Sequence, residues 1–335
     1  PELIALGTVG DDGTWPAPEG ALYGLPIDVD VKGLVFYPPA QFAAAGYTIP
    51  ATWDELVALS DRMVDDGRTP WCWHFESGMA SGWPGTDIVE TLVLRGAGAD
   101  SYDRWSQHGV PFDAPAIQSA AALAEMLLLS EGYARGGSGA ISRLDASIEG
   151  LTPLLGDDPA CLLLHQGDFM LGTLPEQAQV GVDVDAFPFP PMVDGDPTAT
   201  VGGGNLLSVL ADRPELREFV AYAASPQWGE RWAAASSSNF VSPSTRFDLD
   251  SYGRDGEADL AETRRTIGRL AQEAIVSEAF RFDASDLMPG PIGSATPDGE
   301  RGEFWQGMLD VVDGKRTMNQ VLTDIEAAWQ ELESG

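Results

Sequence analysis

Tyr23-Gly-Leu-Pro-Ile-Asp-Val-Asp-Val-Lys-Gly-Leu-Val-Phe-Tyr37 is the stretch on which the fold turns. Within it Ile27, Val29 and Val31 alternate with Asp28, Asp30 and Lys32. A period of two predicts an extended strand with one polar face, because successive side chains point to opposite sides of a pleated backbone. That polar face carries two carboxylates and an ammonium in neighbouring positions.

Upstream, Gly10 to Gly20 is rich in Gly, Pro and Asp and predicts turns. Downstream, Thr52-Trp-Asp-Glu55 is a capping box that opens a helix with Leu56, Leu59 and Met63 at helical spacing. A second helix is expected over 115–130, and strands over the apolar runs Ala160–Leu164, Val180–Phe189 and Leu206–Leu210. Helical segments follow from Pro214 to Ala224, then, after the cap-like Ser225-Pro226, onward to Ala235. Phe304 to Val312 stops at Gly314, and Thr317-Met-Asn-Gln320 caps a last helix with Val321, Leu322, Ile325 and Trp329 on one stripe. Strands alternating with helices indicate an α/β architecture.

The chain has 335 residues, room for two domains, with 19 Lys plus Arg against 52 Asp plus Glu and a formal charge of −33. So acidic a surface repels phosphate backbones and anionic lipid heads, which argues against nucleic-acid and membrane-surface roles. The two cysteines, Cys72 and Cys161, are too few for a zinc-knuckle framework and fit either buried thiols or one long-range disulfide.

The segment 23–37, followed by Phe42-Ala-Ala-Ala-Gly46-Tyr and Pro50-Ala-Thr-Trp-Asp-Glu-Leu56, resembles the family-1 extracellular solute-binding proteins, which capture sugars for ABC importers. Within that family the α-glucoside branch is the most similar. The matching segments are Trp71-Cys-Trp-His-Phe-Glu-Ser-Gly78, Gly82-Trp-Pro-Gly-Thr-Asp87, Cys161-Leu-Leu-Leu-His-Gln-Gly167, Ser285-Asp-Leu-Met-Pro289 and Phe304-Trp305 with Gly307-Met308. The resemblance implies a two-lobed α/β fold of the type II periplasmic-binding-protein kind that closes on its ligand. It also implies that the N-terminal part of lobe one is missing, since only some two dozen residues precede Tyr-Gly-Leu-Pro. On this basis 1–27 is the end of lobe one and the crossing strand, and 28–194 is lobe two. Residues 195–247 are the remainder of lobe one, and 248–335 is a helical region packed across both lobes. The expected working form is a monomer outside the cytoplasm, lipid-anchored in the full-length precursor, with a sugar ligand, permease subunits as partners and no cofactor. In this branch Cys72 and Cys161 are expected to be bridged.

Sugar sites combine aromatic platforms, which pack on pyranose C–H faces, with carboxylates and amides that hold hydroxyls. Trp83 and Trp305 are the candidate platforms, whereas Trp53 and Trp329 are expected in the core. Asp30 on the crossing strand, Asp28 beside it, Glu76 after an aromatic run, and Gln166 and Asp168 after a strand end are the candidate polar ligands. Asn205, after Gly202-Gly-Gly204, and Asp286 complete the set, the glycines allowing close backbone approach to a ligand.

A glycoside hydrolase would use similar side chains, but a facing carboxylate pair cannot be read from sequence. No GxSxG, no GxGxxG after a strand and no HExxH occurs, so hydrolase, dinucleotide and zinc readings find no support. Asp248-Leu-Asp250-Ser-Tyr-Gly253 with Asp259 partly mimics a calcium loop, but Tyr252 stands at a ligand position. A non-transport recognition protein on the same two lobes is the remaining alternative.

Overall fold

A computed structural model describes residues 2–11, 16–17, 19–192, 199–235, 240–252 and 258–334. A short antiparallel pair, β1 (Thr8–Val9) with β2 (Ala21–Leu22), precedes the deciding stretch. That stretch is two strands rather than one. β3 (Leu25–Val31) and β4 (Leu34–Tyr37) are separated only by Lys32 and Gly33 and belong to different sheets.

In its own sheet β4 is the central strand, antiparallel on one side to β5 (Leu164–Gln166) and on the other to β6 (Asp185–Pro188). β3 is antiparallel to β7 (Thr200–Leu207), which runs parallel to β8 (Phe280–Phe282). The sheet orders are β3-β7-β8 and β5-β4-β6. Lys32 therefore sits at the joint between the sheets. Its amide still donates to Val201 O (2.9 Å), while Gly33 O already accepts from Phe189 N (2.8 Å).

Several expected strands are shorter than their apolar runs. β5 starts only at Leu164, and the run 180–189 contributes Asp185–Pro188. Gly202-Gly-Gly204 is the middle of β7. A Cβ at Gly202 would lie 2.2 Å from the Phe280 ring and 2.4 Å from Asp30 O, so glycine there lets β7 seat between its neighbours. Both capping boxes form, with one variation. Glu55 N donates to Thr52 Oγ1 (3.3 Å), but the Glu55 carboxylate accepts from Ala51 N rather than Thr52 N. Thr317 and Gln320 make the reciprocal pair, at 3.2 and 2.9 Å.

Two large cores follow from this layout. One packs Trp53, Trp71, Trp73 and Trp105 with the helices Trp83–Ala97, Pro115–Leu129, Glu303–Val312 and Met318–Ser334. Trp53 and Trp329 both lie in it. The second joins the apolar faces of β3 and β4 to the helix Ala258–Val276 and contains Cys72 and Cys161. These cysteines are bonded, with Cα atoms 5.4 Å apart across 89 residues of sequence. Closing so long a loop removes much unfolded-state freedom. A third cluster is small: Ala233, Phe240, Phe247 and Tyr252. Among the described residues no helix is long and apolar enough to cross a membrane. The expected lobe boundary at 194/195 lies outside the described residues, as do Gly253 and the Asp259 side chain of the calcium-like segment.

Candidate functional site

The polar face of β3 opens onto the joint. At the outer end Asp28 pairs with Asn205 across the β3–β7 ladder. The Asn205 amide and side chain donate to Asp28 Oδ1 at 2.8 and 3.0 Å, and the side chain also reaches Oδ2 at 3.1 Å. Asp30 follows. Desolvation, then the charge of Asp28, pushes its carboxyl up to about 6 against the pull of Lys32. Asp168, fully buried past the end of β5, accepts from Val31 N at 2.7 Å. Burial first and Asp30 second raise its carboxyl well above the usual range.

Lys32 is one of only two lysines in the chain, the other being Lys315. Its ammonium is bonded to Asp87 Oδ1 (3.2 Å) and to Asp283 Oδ2, both buried. Burial works to strip its proton, but the negative charges of Asp283 and Asp87 more than offset this and hold it charged. The oxygens of Asp87, Glu90 and Asp283 lie within 4.8 Å of one another, a spacing that would suit a cation. Lys32 supplies that cation from within the chain. The Glu90 carboxylate is engaged too, accepting from Ala284 N (2.8 Å), Ser285 N (3.1 Å) and the Tyr102 hydroxyl (3.0 Å). Burial, then Asp283, raises Glu90 well above an ordinary carboxyl; at Asp283 burial also pushes upward, but the Lys32 charge and the hydrogen bonds from Lys32, Ser285 and Asp286 N together lower it.

The two tryptophans meet at this cluster. Gly82 has φ 104° and ends the loop before the helix Trp83–Ala97. A Cβ on it would lie 2.1 Å from Trp305 O, so only glycine lets the first turn of that helix sit against the Trp305 backbone. The Trp83 ring is half-buried, with Lys32 Nζ 5.2 Å from its centroid and the Phe169 ring at 5.7 Å. Trp305, also half-buried, donates Nε1–H to Ser285 Oγ (3.2 Å), and that hydroxyl donates to Asp283 Oδ1 (2.7 Å). Asp286 stands at the solvent edge, its carboxyl pushed up to about 7 by desolvation and then by Asp283.

Asp28, Asp30, Trp83, Asp168, Asn205, Asp286 and Trp305 thus belong to one continuous constellation. Gln166 lies beside it at the end of β5, buried, its side-chain oxygen accepting from Gly167 N (3.1 Å). Glu76 is turned away into its own loop, where Oε1 accepts from Gly78 N (2.9 Å) and the backbone bridges Asp145. Sequence reasoning missed Lys32 as the centre, together with Asp87, Glu90, Asp283 and Ser285. The one available signal was a lone lysine in a chain otherwise nearly devoid of them. A separate cavity of about 1060 Å³, lined among others by Leu6, Ile27, Trp228, Phe247 and Val276, contains none of the candidate residues.

Comparison with known proteins agrees with this architecture. A chitin oligosaccharide binding protein superposes with a TM-score of 0.71 at 17% identity, covering 95% of this chain and 74% of that one. The osmoprotective compounds-binding protein GgtB of Synechocystis is 38% identical over 93% of this chain. The alpha-glucosides-binding periplasmic protein AglE of Rhizobium meliloti is 35% identical over 96%. The chain spans 69% of the length of the first relative and 65% of the second. Residues 4–230 match the family described as bacterial extracellular solute-binding protein. The chain belongs to that family of non-enzymatic solute-binding proteins.

Proposed function

We propose that this chain captures a neutral carbohydrate, an α-glucoside or short oligosaccharide, and delivers it to the permease of an ABC importer. The observation that carries the reading is the convergence of two half-buried tryptophans with Asp28, Asp30 and Asp168 at the joint between two sheets. Indole faces suit the apolar C–H surface of a pyranose, and carboxylates accept its hydroxyl protons. The buried cation, Lys32, is already neutralised by Asp87 and Asp283, which leaves the site acidic and unsuited to anionic sugars. One relative is named for binding alpha-glucosides, which supports this reading; the other is named for osmoprotective compounds.

In this reading residues 28–194 form one lobe, and 1–27 with 195–247 contribute to the other. The region 248–335 packs across both, and closure about Lys32-Gly33 presents the surface that the permease reads. The working form is a monomer at the periplasmic or outer cell face, held there by a lipid anchor on the precursor. Glu76 and Gln166 would act only at the margin of the ligand.

The test is a thermal-shift screen against mono- and oligosaccharides, with isothermal titration of any hit. At a hundredfold excess over Kd a ligand that binds only the folded state adds about 2.7 kcal/mol, a rise of several degrees. Such a rise, lost in Asp30→Ala and Trp83→Ala, with the sugar recovered unchanged, is the expected result. A shift with sugar acids but not neutral glycosides would overturn it.

A further inference from the structure

We propose that Lys32, Asp283 and Ser285 form a positioning line that orients the two tryptophan rings, so that a buried ammonium beneath the site sets how well a sugar ring stacks. The line is continuous. The Lys32 ammonium binds Asp283 Oδ2, the Ser285 hydroxyl donates to Asp283 Oδ1 (2.7 Å), and Trp305 Nε1–H donates to Ser285 Oγ (3.2 Å). A hydroxyl has one proton, and here it is given to the carboxylate. The lone pairs of Ser285 are thereby left facing the indole N–H, which gives the line a single direction.

The other end of the line acts on Trp83. Lys32 Nζ stands 5.2 Å from the centroid of that ring, within cation–π range. The same ammonium is thus linked to both platforms, which lie on separate helices, Trp83–Ala97 and Glu303–Val312. The Lys32 side chain is only 10% exposed, so its influence on a ligand runs through the rings. Without the line the Trp305 indole would keep its backbone anchor at Gly82 but lose the bond that fixes its ring. The affinity part of this inference rests on the carbohydrate reading; the orientation part does not.

The test uses the full chain labelled with ¹⁵N-indole tryptophan. In the ligand-free protein the Trp305 indole proton should exchange slowly with solvent. Ser285→Ala should speed that exchange at least about tenfold, and Ser285→Thr, which keeps the hydroxyl, should restore it. Equal exchange in wild type and Ser285→Ala, or failure of Ser285→Thr to restore it, would overturn the proposal. In a second arm maltose is titrated. Ser285→Ala should bind about fivefold more weakly, the worth of one ordinary hydrogen bond, and Ser285→Thr should recover the affinity. Unchanged affinity alongside faster exchange would overturn the affinity part. If wild type responds to none of the sugars screened, the carbohydrate reading fails, while the exchange comparison still decides the line.

Discussion

Two helices of this chain live under opposite conditions. In Trp83–Ala97 every residue from Pro84 to Arg95 is buried, wedged between Pro115–Leu129 and Glu303–Val312. In Pro214–Ala223 only Ala223 is buried. Phe219 on the second helix is open, as is Leu210 just before it, which is 100% exposed. A helix covered on every side can carry charged groups such as Asp87 and Glu90 only because other elements bring partners to them. A helix with an uncovered apolar face draws little stability from packing and invites association. The contrast shows that the helix carrying Asp87 and Glu90 is packed far more completely than Pro214–Ala223.

Replacing Leu92, fully buried in the first helix, is the strongest way to break this picture. Leu92→Ala should cost ~2–4 kcal/mol in urea unfolding, against about 1 kcal/mol for Phe219→Ser, whose ring meets Trp228 edge-on. The second change should also reduce binding of an apolar dye such as ANS. Comparable losses would mean that the two helices do not differ as described. Removing the cross-link, with Cys72→Ala and Cys161→Ala together, should cost ~2–4 kcal/mol. A melting temperature unmoved by reduction would remove the disulfide from the account.

Asp30 separates stability from function. Its carboxyl, at about 6 in the fold, lies above its unfolded value of about 3.9, so the folded state holds an extra proton between those pH values. Stability therefore falls as pH rises through that window. Asp30→Asn should gain ~1–2 kcal/mol at pH 7 and nothing below pH 4, while sugar affinity drops. A gain that is equal at both pH values would exclude titration as the cause.

The smallest effect concerns His108, which stacks on Trp329 with ring centroids 4.6 Å apart and faces Glu333 (2.7 Å) and Glu326 (3.1 Å). Burial pulls its pKa down, but hydrogen bonds to Glu333 and Glu326 outweigh this and raise it. Its stabilisation is then fully present below the unfolded value of about 6.5 and lost as pH rises through the folded one. His108→Gln should cost more at pH 5.5 than at pH 9, by at most ~1 kcal/mol, since the stacking on Trp329 is lost at both.

How much of this was legible depended on the range of the cause. The alternation from Ile27 to Lys32 is local, and it revealed both the strand and the carboxylates on its polar face. The capping boxes are local too, and both helix starts were readable. Lys32 was readable only as an ammonium on that polar face, because Asp87 and Asp283 lie 55 and 251 residues away in sequence. The packing role of the Gly202–Gly204 run was hidden for the same reason: the ring that demands Gly202 belongs to Phe280. Glu76 followed a family-like motif, and the bond its Oε1 accepts from Gly78 N depends on the fold of its own loop. Trp83 and Trp305 were found through motifs, whereas their meeting through Gly82 is a matter of tertiary approach.

The scarcity of lysine has a practical side. Lys32 is buried and held protonated, so it is a poor nucleophile toward amine-reactive reagents. Lys315, with 61% of its side chain exposed, is the one ε-amino group open to such coupling. A dye or surface linker that targets side-chain amines would therefore attach at a single defined place, at the end of the helix Glu303–Val312 that carries Trp305. That makes the chain a natural starting point for a reagentless optical sensor, with the label installed without introducing a new cysteine beside the existing disulfide.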